Sequence, residues 1–181
     1  GQPLYIVTYR DSAASHRYLR DEVAKLKAAG VETRFILFAR ADAEGTPRST
    51  AAERATVAEL WLSRDWPLYQ RWMATPANSW TAAGLPQADN DLARTAVVEA
   101  GRRFDDQLGR LLRDSGVRIS YPLILWRDRD GFLKACGCAD SRAWAFIRDD
   151  VGAPDRLGDP DEALSASEEE PSAPDGTAAM P

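Results

Sequence analysis

Cys136, Gly137 and Cys138 are the residues with most chemistry to offer. Two cysteines at i and i+2 of a strand project from the same face, and a disulfide across one intervening residue is strained and easily reduced. Three uses compete. The pair can be a redox site, two small apolar side chains packed under a helix, or, with His16, a Cys/Cys/His metal site without an evident fourth ligand. Two cysteines exclude a four-thiolate zinc centre and a disulfide-dense scaffold. The second group is Asp11-Ser12-Ala13-Ala14-Ser15-His16. His16 is the only histidine, and Ser12 lies four residues before it, within reach on a helix. A hydrolytic triad, however, needs three groups converging on one reacting atom beside an oxyanion hole, and neighbours on one helical turn fan outward. Ser12 or Asp11 suits the N-cap of a helix.

These residues sit in a recognisable order of elements. Leu4-Tyr5-Ile6-Val7-Thr8 reads as a buried strand. Leu19, Val23 and Leu26 recur at helical spacing up to Gly30, which suits the left-handed position after a helix. Val31–Phe38 reads as a second buried strand, and the roughly twenty residues between the strands suit a parallel crossover. Thr50-Ala51-Ala52-Glu53 is a capping box that opens a helix carrying Val57, Leu60 and Trp61. Pro67 begins another, with Leu68, Trp72 and Met73 on one face, and Asp91–Asp114 is a long helix. After Gly116 the period changes: Pro122–Trp126 is a strand, Arg127–Gly131 a charged turn, and Phe132–Cys136 the return strand. A last helix from about Asp140 turns Trp144, Ile147 and Val151 inward.

The chain has 181 residues, 44% of them hydrophobic, enough for a core. No uncharged apolar run reaches the length of a membrane helix. From Gly158 to Pro181 there are seven acids and no base, which leaves 21 acids against 23 bases before it. That near-neutral body argues against a nucleic-acid binder. The acidic end, rich in Pro, Ser and Ala with one Leu, reads as a disordered tail. Gly1-Gln2-Pro3 leads straight into the first strand without an initiator Met or signal peptide, as in a trimmed product, and a leader or membrane anchor removed from this end is compatible with it. Of the six tryptophans, Trp61, Trp72, Trp126 and Trp144 fit core faces. Trp66 and Trp80 lie near loops and could line a surface groove.

The order β-α-β, helices, β-β-α predicts an α/β protein with a thioredoxin-like fold. The domain spans residues 1–157, with a helical insertion at about 49–114 between its two halves, and the tail spans 158–181. The residues Ile6-Val7-Thr8, Ser12 to His16, Ala29-Gly30-Val31 to Arg40, Leu60-Trp61 with Ser63-Arg64-Asp65, and Ser115-Gly116-Val117 to Tyr121-Pro122 carry a closer likeness. The chain resembles the catalytic domain of the DsbC/DsbG family of periplasmic disulfide isomerases over roughly Leu4–Val151. The resemblance implies a periplasmic location, protein or peptide clients and a cis bond at Tyr121–Pro122. It places Gly137 in a turn, with Cys136 and Cys138 beside the first helix. Ser12 and Ser15 stand where the family carries its Cys-x-x-Cys pair, and His16 where it carries a following His. A serine hydroxyl titrates far too high for a helix N-terminus to ionise, so the motif is redox-dead as written. Either a natural chain has lost the chemistry and kept the binding fold, or both cysteines were replaced by design. Tyr121 stands where the family has Thr or a small residue, and should narrow the groove. No N-terminal dimerisation domain is visible, so the family's dimer is not implied. Two functions follow. One is a client-binding, chaperone-like module without thiol exchange. The other is a thiol–disulfide oxidoreductase, working through Cys136 and Cys138 or through native cysteines at 12 and 15. The two thiols are expected to be inert unless they reach the helix N-terminus. Neither function requires a cofactor.

Overall fold

The computed structural model describes residues 3–153. The predicted tail, and the domain boundary at 157, lie outside the described residues. The chain is a mixed α/β protein built on one four-stranded sheet of order β2-β1-β3-β4. Strand β1 (Leu4–Thr8) lies parallel to β2 (Thr33–Leu37), as the length of the crossover predicted. On its other side β1 runs antiparallel to β3 (Leu123–Arg127), which pairs with β4 (Leu133–Gly137). The central position of β1 explains its apolar sequence, since both faces of a middle strand are covered.

Alternation along the strands divides the core. Leu4, Ile6, Ile124 and Trp126 face one side and meet Tyr18, Leu26, Trp144 and Ile147. Val7 and Leu123 face the other and meet Phe38 and Leu112. Helix α1 (residues 13–28) crosses between β1 and β2. It is not regular: Ala13–Tyr18 and Ala24–Ala28 are α-helical, and Leu19–Val23 between them is one wide π-helical turn. The expected face holds at Val23 and Leu26, which pack against the core. The buried positions are Ser15, Tyr18, Glu22 and Leu26, while Leu19 turns toward the helical insertion. Glu22 lies on the same stripe as Tyr18 and Leu26, and its carboxylate meets the buried Arg148 guanidinium. Gly30 ends the helix at φ 76°, the left-handed conformation its position predicted.

The insertion is a helical layer. Helix α2 (Ala51–Ser63) begins at Thr50, whose hydroxyl accepts from the Glu53 amide at 3.0 Å. Helix α3 (Trp66–Ala74) is capped by Asp65, with Pro67 in its first turn. Helix α4 (Leu92–Asp114) is capped by Asp91. Val57, Leu60, Leu68, Trp72 and Val98 of these helices pack together against Leu37 at the end of β2. Helix α5 (Trp144–Asp150) closes the chain over the face opposite Val7. None of the described helices is long and apolar enough to cross a membrane.

Candidate functional site

The site lies where the C-terminal end of β1, the N-terminus of α1 and the entry to β3 meet. Ser12 is the N-cap of α1, its Oγ accepting from the Ser15 amide at 3.2 Å. The same hydroxyl donates to the Tyr121 carbonyl (3.2 Å) and accepts from Ser15 Oγ (2.8 Å). Ser15 Oγ in turn lies 2.5 Å from Thr8 Oγ1. Each hydroxyl has one proton. Ser12 gives its proton to Tyr121 and Ser15 gives its proton to Ser12, so the Thr8 hydroxyl donates to Ser15, with the Tyr9 carbonyl a second acceptor 3.2 Å away. Thr8, Ser12 and Ser15 are all buried. A buried chain of hydroxyls in which every proton is engaged is a structural connection between helix, strand and loop.

His16 does not join it. Its Nε2 lies 2.7 Å from the Arg10 carbonyl, so this nitrogen carries the proton and donates, and only the His16 backbone amide, not its ring, is bonded to Ser12. The triad reading fails on this geometry. Among the described residues, no group of three or more His, Cys, Asp or Glu is placed to hold a metal ion.

Pro122 follows a cis peptide bond after Tyr121, as the resemblance implied. Its carbonyl accepts from the Cys138 amide at 2.9 Å, so the serine cap, the Tyr121–Pro122 turn and the end of β4 are joined in series. Cys136 and Cys138 are linked to each other. The expectation of two inert free thiols is therefore corrected: i and i+2 side chains on one face are close enough to bond. Cys138 is buried against Tyr18 and Trp144, whose indole Nε1 donates to its carbonyl (3.0 Å), while Cys136 is half-buried at the edge of the same cluster. Gly137 is not a turn residue, as expected, but the last residue of β4, opposite Leu123. Its lack of a side chain is required by close approach: a Cβ there would lie 2.2 Å from the Arg118 carbonyl oxygen and 2.7 Å from the Ser120 nitrogen.

The Tyr121 side chain opens into a cleft of about 280 Å³ whose walls include Tyr9, Phe38, Arg40, Asp105 and Arg113. Tyr9, Phe38 and Tyr121 form a three-ring cluster with centroids 5.3–5.8 Å apart. The Arg40 guanidinium stacks 4.3 Å above Tyr9. Tyr121 donates to Asp105 Oδ1 at 2.6 Å. Burial raises both groups: Asp105 lies above its ordinary value despite the bond from Tyr121, and the phenol is pushed up by burial and then by the carboxylate. Tyr121 thus narrows the cleft, and Asp105 holds it in place.

Behind the cleft lies a charged group that the sequence did not announce. Arg10 is buried, donates to the Trp72 and Thr75 carbonyls and stacks on Trp72. Asp11 sits between Arg10 (3.4 Å) and Arg40 (3.8 Å). Glu53, also buried, is raised from 4.5 to about 7, first by desolvation and then by Asp11. Arg40, the Thr50 backbone and Arg10 pull the other way.

The chain matches no protein-family model and no curated protein. Its functional reading therefore rests on the geometry above. Tyr9, Arg10 and Thr8 were discoverable as the residues leaving β1, where ligand-facing loops begin. Arg40, Glu53 and Asp105 come from separate elements, and only the folded arrangement brings them together.

Proposed function

We propose that this chain is a thioredoxin-like domain of the DsbC/DsbG type that holds extended protein or peptide clients at the Tyr121 cleft, without thiol exchange at Ser12 and Ser15. One observation carries the reading: the N-terminus of α1 is bound through Ser12 Oγ to the Tyr121 carbonyl, beside a cleft walled by three aromatic rings and by Arg40, Arg48, Arg102 and Arg113. Where a thiol pair would exchange, the hydroxyls are buried and mutually bonded. The aromatic walls accept apolar client side chains, and Arg40 adds a cation next to them. The resemblance that supports this reading also carries the periplasmic location, and leaves room for a membrane tether upstream.

The test uses isotope-labelled chain titrated with carboxymethylated α-lactalbumin, an unfolded probe without free thiols. Amide shifts centred on Tyr9, Arg40 and Tyr121, with affinity lowered about tenfold by Tyr121→Ala, are expected. Saturable binding indifferent to Tyr121→Ala and Tyr9→Ala, or no binding at millimolar probe, would refute the reading.

The Cys136–Cys138 disulfide favours a second reading, an oxidoreductase. A client thiolate attacks the better exposed sulfur, that of Cys136, and releases Cys138 as thiolate. A second client thiolate then attacks the client sulfur of the mixed disulfide, so the client pair is oxidised to a disulfide and Cys136 leaves as a thiolate; run in reverse, with dithiothreitol reducing the ring, the same two exchanges reduce a client disulfide. Dithiothreitol-driven insulin reduction accelerated by the chain and abolished by Cys136→Ala would establish it. No acceleration over the uncatalysed rate would remove it.

A further inference from the structure

Among the described residues the sheet has an open edge at β2, away from the Tyr121 cleft. Glu32 O and the Phe38 amide point toward β1, where they pair with Leu4 and Thr8. Alternation then turns the backbone groups of Thr33, Phe35 and Leu37 outward. Trp61 Nε1 closes the far end by donating to the Leu37 carbonyl at 2.8 Å. That leaves Thr33 and Phe35 as the open stretch.

Beside this stretch runs a groove of about 280 Å³ between β2 and the start of α3. Its walls are aromatic. Phe35 lies 5.6 Å from Trp66 and 5.3 Å from Tyr69, and Trp66 and Tyr69 are 4.9 Å apart. Trp66 is 46% exposed, a large apolar surface left in water. Tyr69 is 95% buried by the same measure (5% exposed), yet its hydroxyl has no hydrogen-bond partner, and an orphaned donor of this kind is destabilising. Two cations flank the groove. Arg64 stands in left-handed backbone (φ 56°) at the end of α2 and stacks on Trp61 at 4.6 Å. Arg34 projects from the opposite face of β2, with Glu32 on its Nε and the Tyr5 hydroxyl near its Nη1.

We propose that the open edge of β2 and its aromatic groove bind an extended peptide that alternates bulky apolar and acidic side chains. The peptide pairs with Thr33 and Phe35 as an added strand. Its period of two sends apolar side chains into the groove among Phe35, Trp66 and Tyr69, and the residues between them toward Arg34. An acidic residue there meets a cation, and a further carboxylate can meet Arg64. A bound peptide carbonyl is the kind of acceptor that Tyr69 lacks. The occupant is a short peptide and not a second copy of the chain. Two β2 edges joined about a two-fold axis would need the whole strand, which Trp61 blocks, and would bring Arg34 side chains from both copies onto a small interface.

The probe is acetyl-Glu-Phe-Glu-Phe-Glu-amide carrying fluorescein, followed by anisotropy and by hydrogen exchange of the full chain. Saturable binding is expected. Trp66→Ala, Arg34→Glu and N-methylation of alternate peptide amides should each weaken it about tenfold, and a Lys-Phe-Lys-Phe-Lys version should do likewise. The Thr33 and Phe35 amides should exchange quickly in the free chain and slowly with probe. Unchanged thermal melting of Arg34→Glu, an exposed position, separates lost binding from lost folding. Binding insensitive to both variants and to N-methylation overturns the proposal, as does absence of saturable binding. Amides already protected in the dilute free chain would show the edge covered by the chain's own segments, and protection rising with chain concentration would show a second copy. Either result also overturns it.

Discussion

Ser12 shows how much one hydroxyl can hold. It caps α1, receives Ser15 and reaches the Tyr121 carbonyl, so it fixes the spacing of a helix, a strand and a loop. Ser12→Ala removes the cap and leaves two partners unpaired. The loss should be about 1–2 kcal/mol in urea unfolding, with the largest amide shifts at Ser15 and Tyr121. Glu53 works in the opposite sense. Its folded pKa of about 7 lies above the unfolded value of 4.5. Below about pH 4.5 both states hold the proton and Glu53 adds no pH dependence. Between about 4.5 and 7 the unfolded state loses the proton first, so stability falls as pH rises, and above about 7 the penalty is constant. Asp11 steepens this effect, while Arg40 and Arg10 moderate it. Glu53→Gln keeps the shape and the helix start without the charge. Denaturant unfolding should find the variant more stable than the parent at pH 8, by up to about 3 kcal/mol, and nearly equal to it at pH 4.

At the scale of elements, the chain depends on two fits that no local propensity announces. The end of β4 passes the Arg118–Ser120 segment so closely that only glycine is admitted at 137. The obstacle is backbone, which cannot move aside like a side-chain end. Gly137→Ala should cost about 3 kcal/mol or more, read as a lower urea midpoint, with altered amide shifts at Cys138 and Pro122–Leu123. The other fit joins α1 to α5 through Glu22 and Arg148, both side chains 6% exposed. Arg148→Ala leaves Lys25, at 3.2 Å, as the cation beside the buried Glu22 carboxylate, and should lose about 3 kcal/mol. The double variant Glu22→Leu/Arg148→Met should recover most of that loss in the same unfolding measurement, because apolar side chains of similar size replace the ions.

The whole molecule is held mainly by its three apolar clusters, not by its one covalent cross-link. The Cys136–Cys138 ring encloses too short a loop to restrict the unfolded chain much. Reduction by dithiothreitol should leave the chain folded and cost about 1.5 kcal/mol, a shift of a few degrees in thermal melting. Much of this architecture was legible in the sequence. The strand at Leu4–Thr8, the parallel partner before Phe38, the caps at Thr50 and Gly30 and the hairpin around Gly131 all follow from apolar period and turn chemistry, which act locally. The misreadings have a common cause. Val23 and Leu26 do pack inward, but Leu19 turns to the insertion helices, and the burial of Glu22 depends on Arg148, 126 residues away in the sequence. The cysteines were read as separate thiols because pairing depends on how β4 meets the Pro122 carbonyl. Arg40 and Asp105 reach the cleft, and Glu53 the charged group behind it, from different elements, and side chains gathered by long-range packing leave no spacing to read.

The wide turn at Leu19–Val23 has one more consequence. A regular helix joining the same two ends needs one residue fewer, so this segment stores a residue of slack between Ser15 and Leu26. A chain shortened by one residue there would still anchor its serine cap at one end and its apolar residue at the other. The same shortening between Thr33 and Leu37 would slide every side chain of that strand to the wrong face. The crossover helix is thus the part of the βαβ unit where the chain can change length without losing its frame.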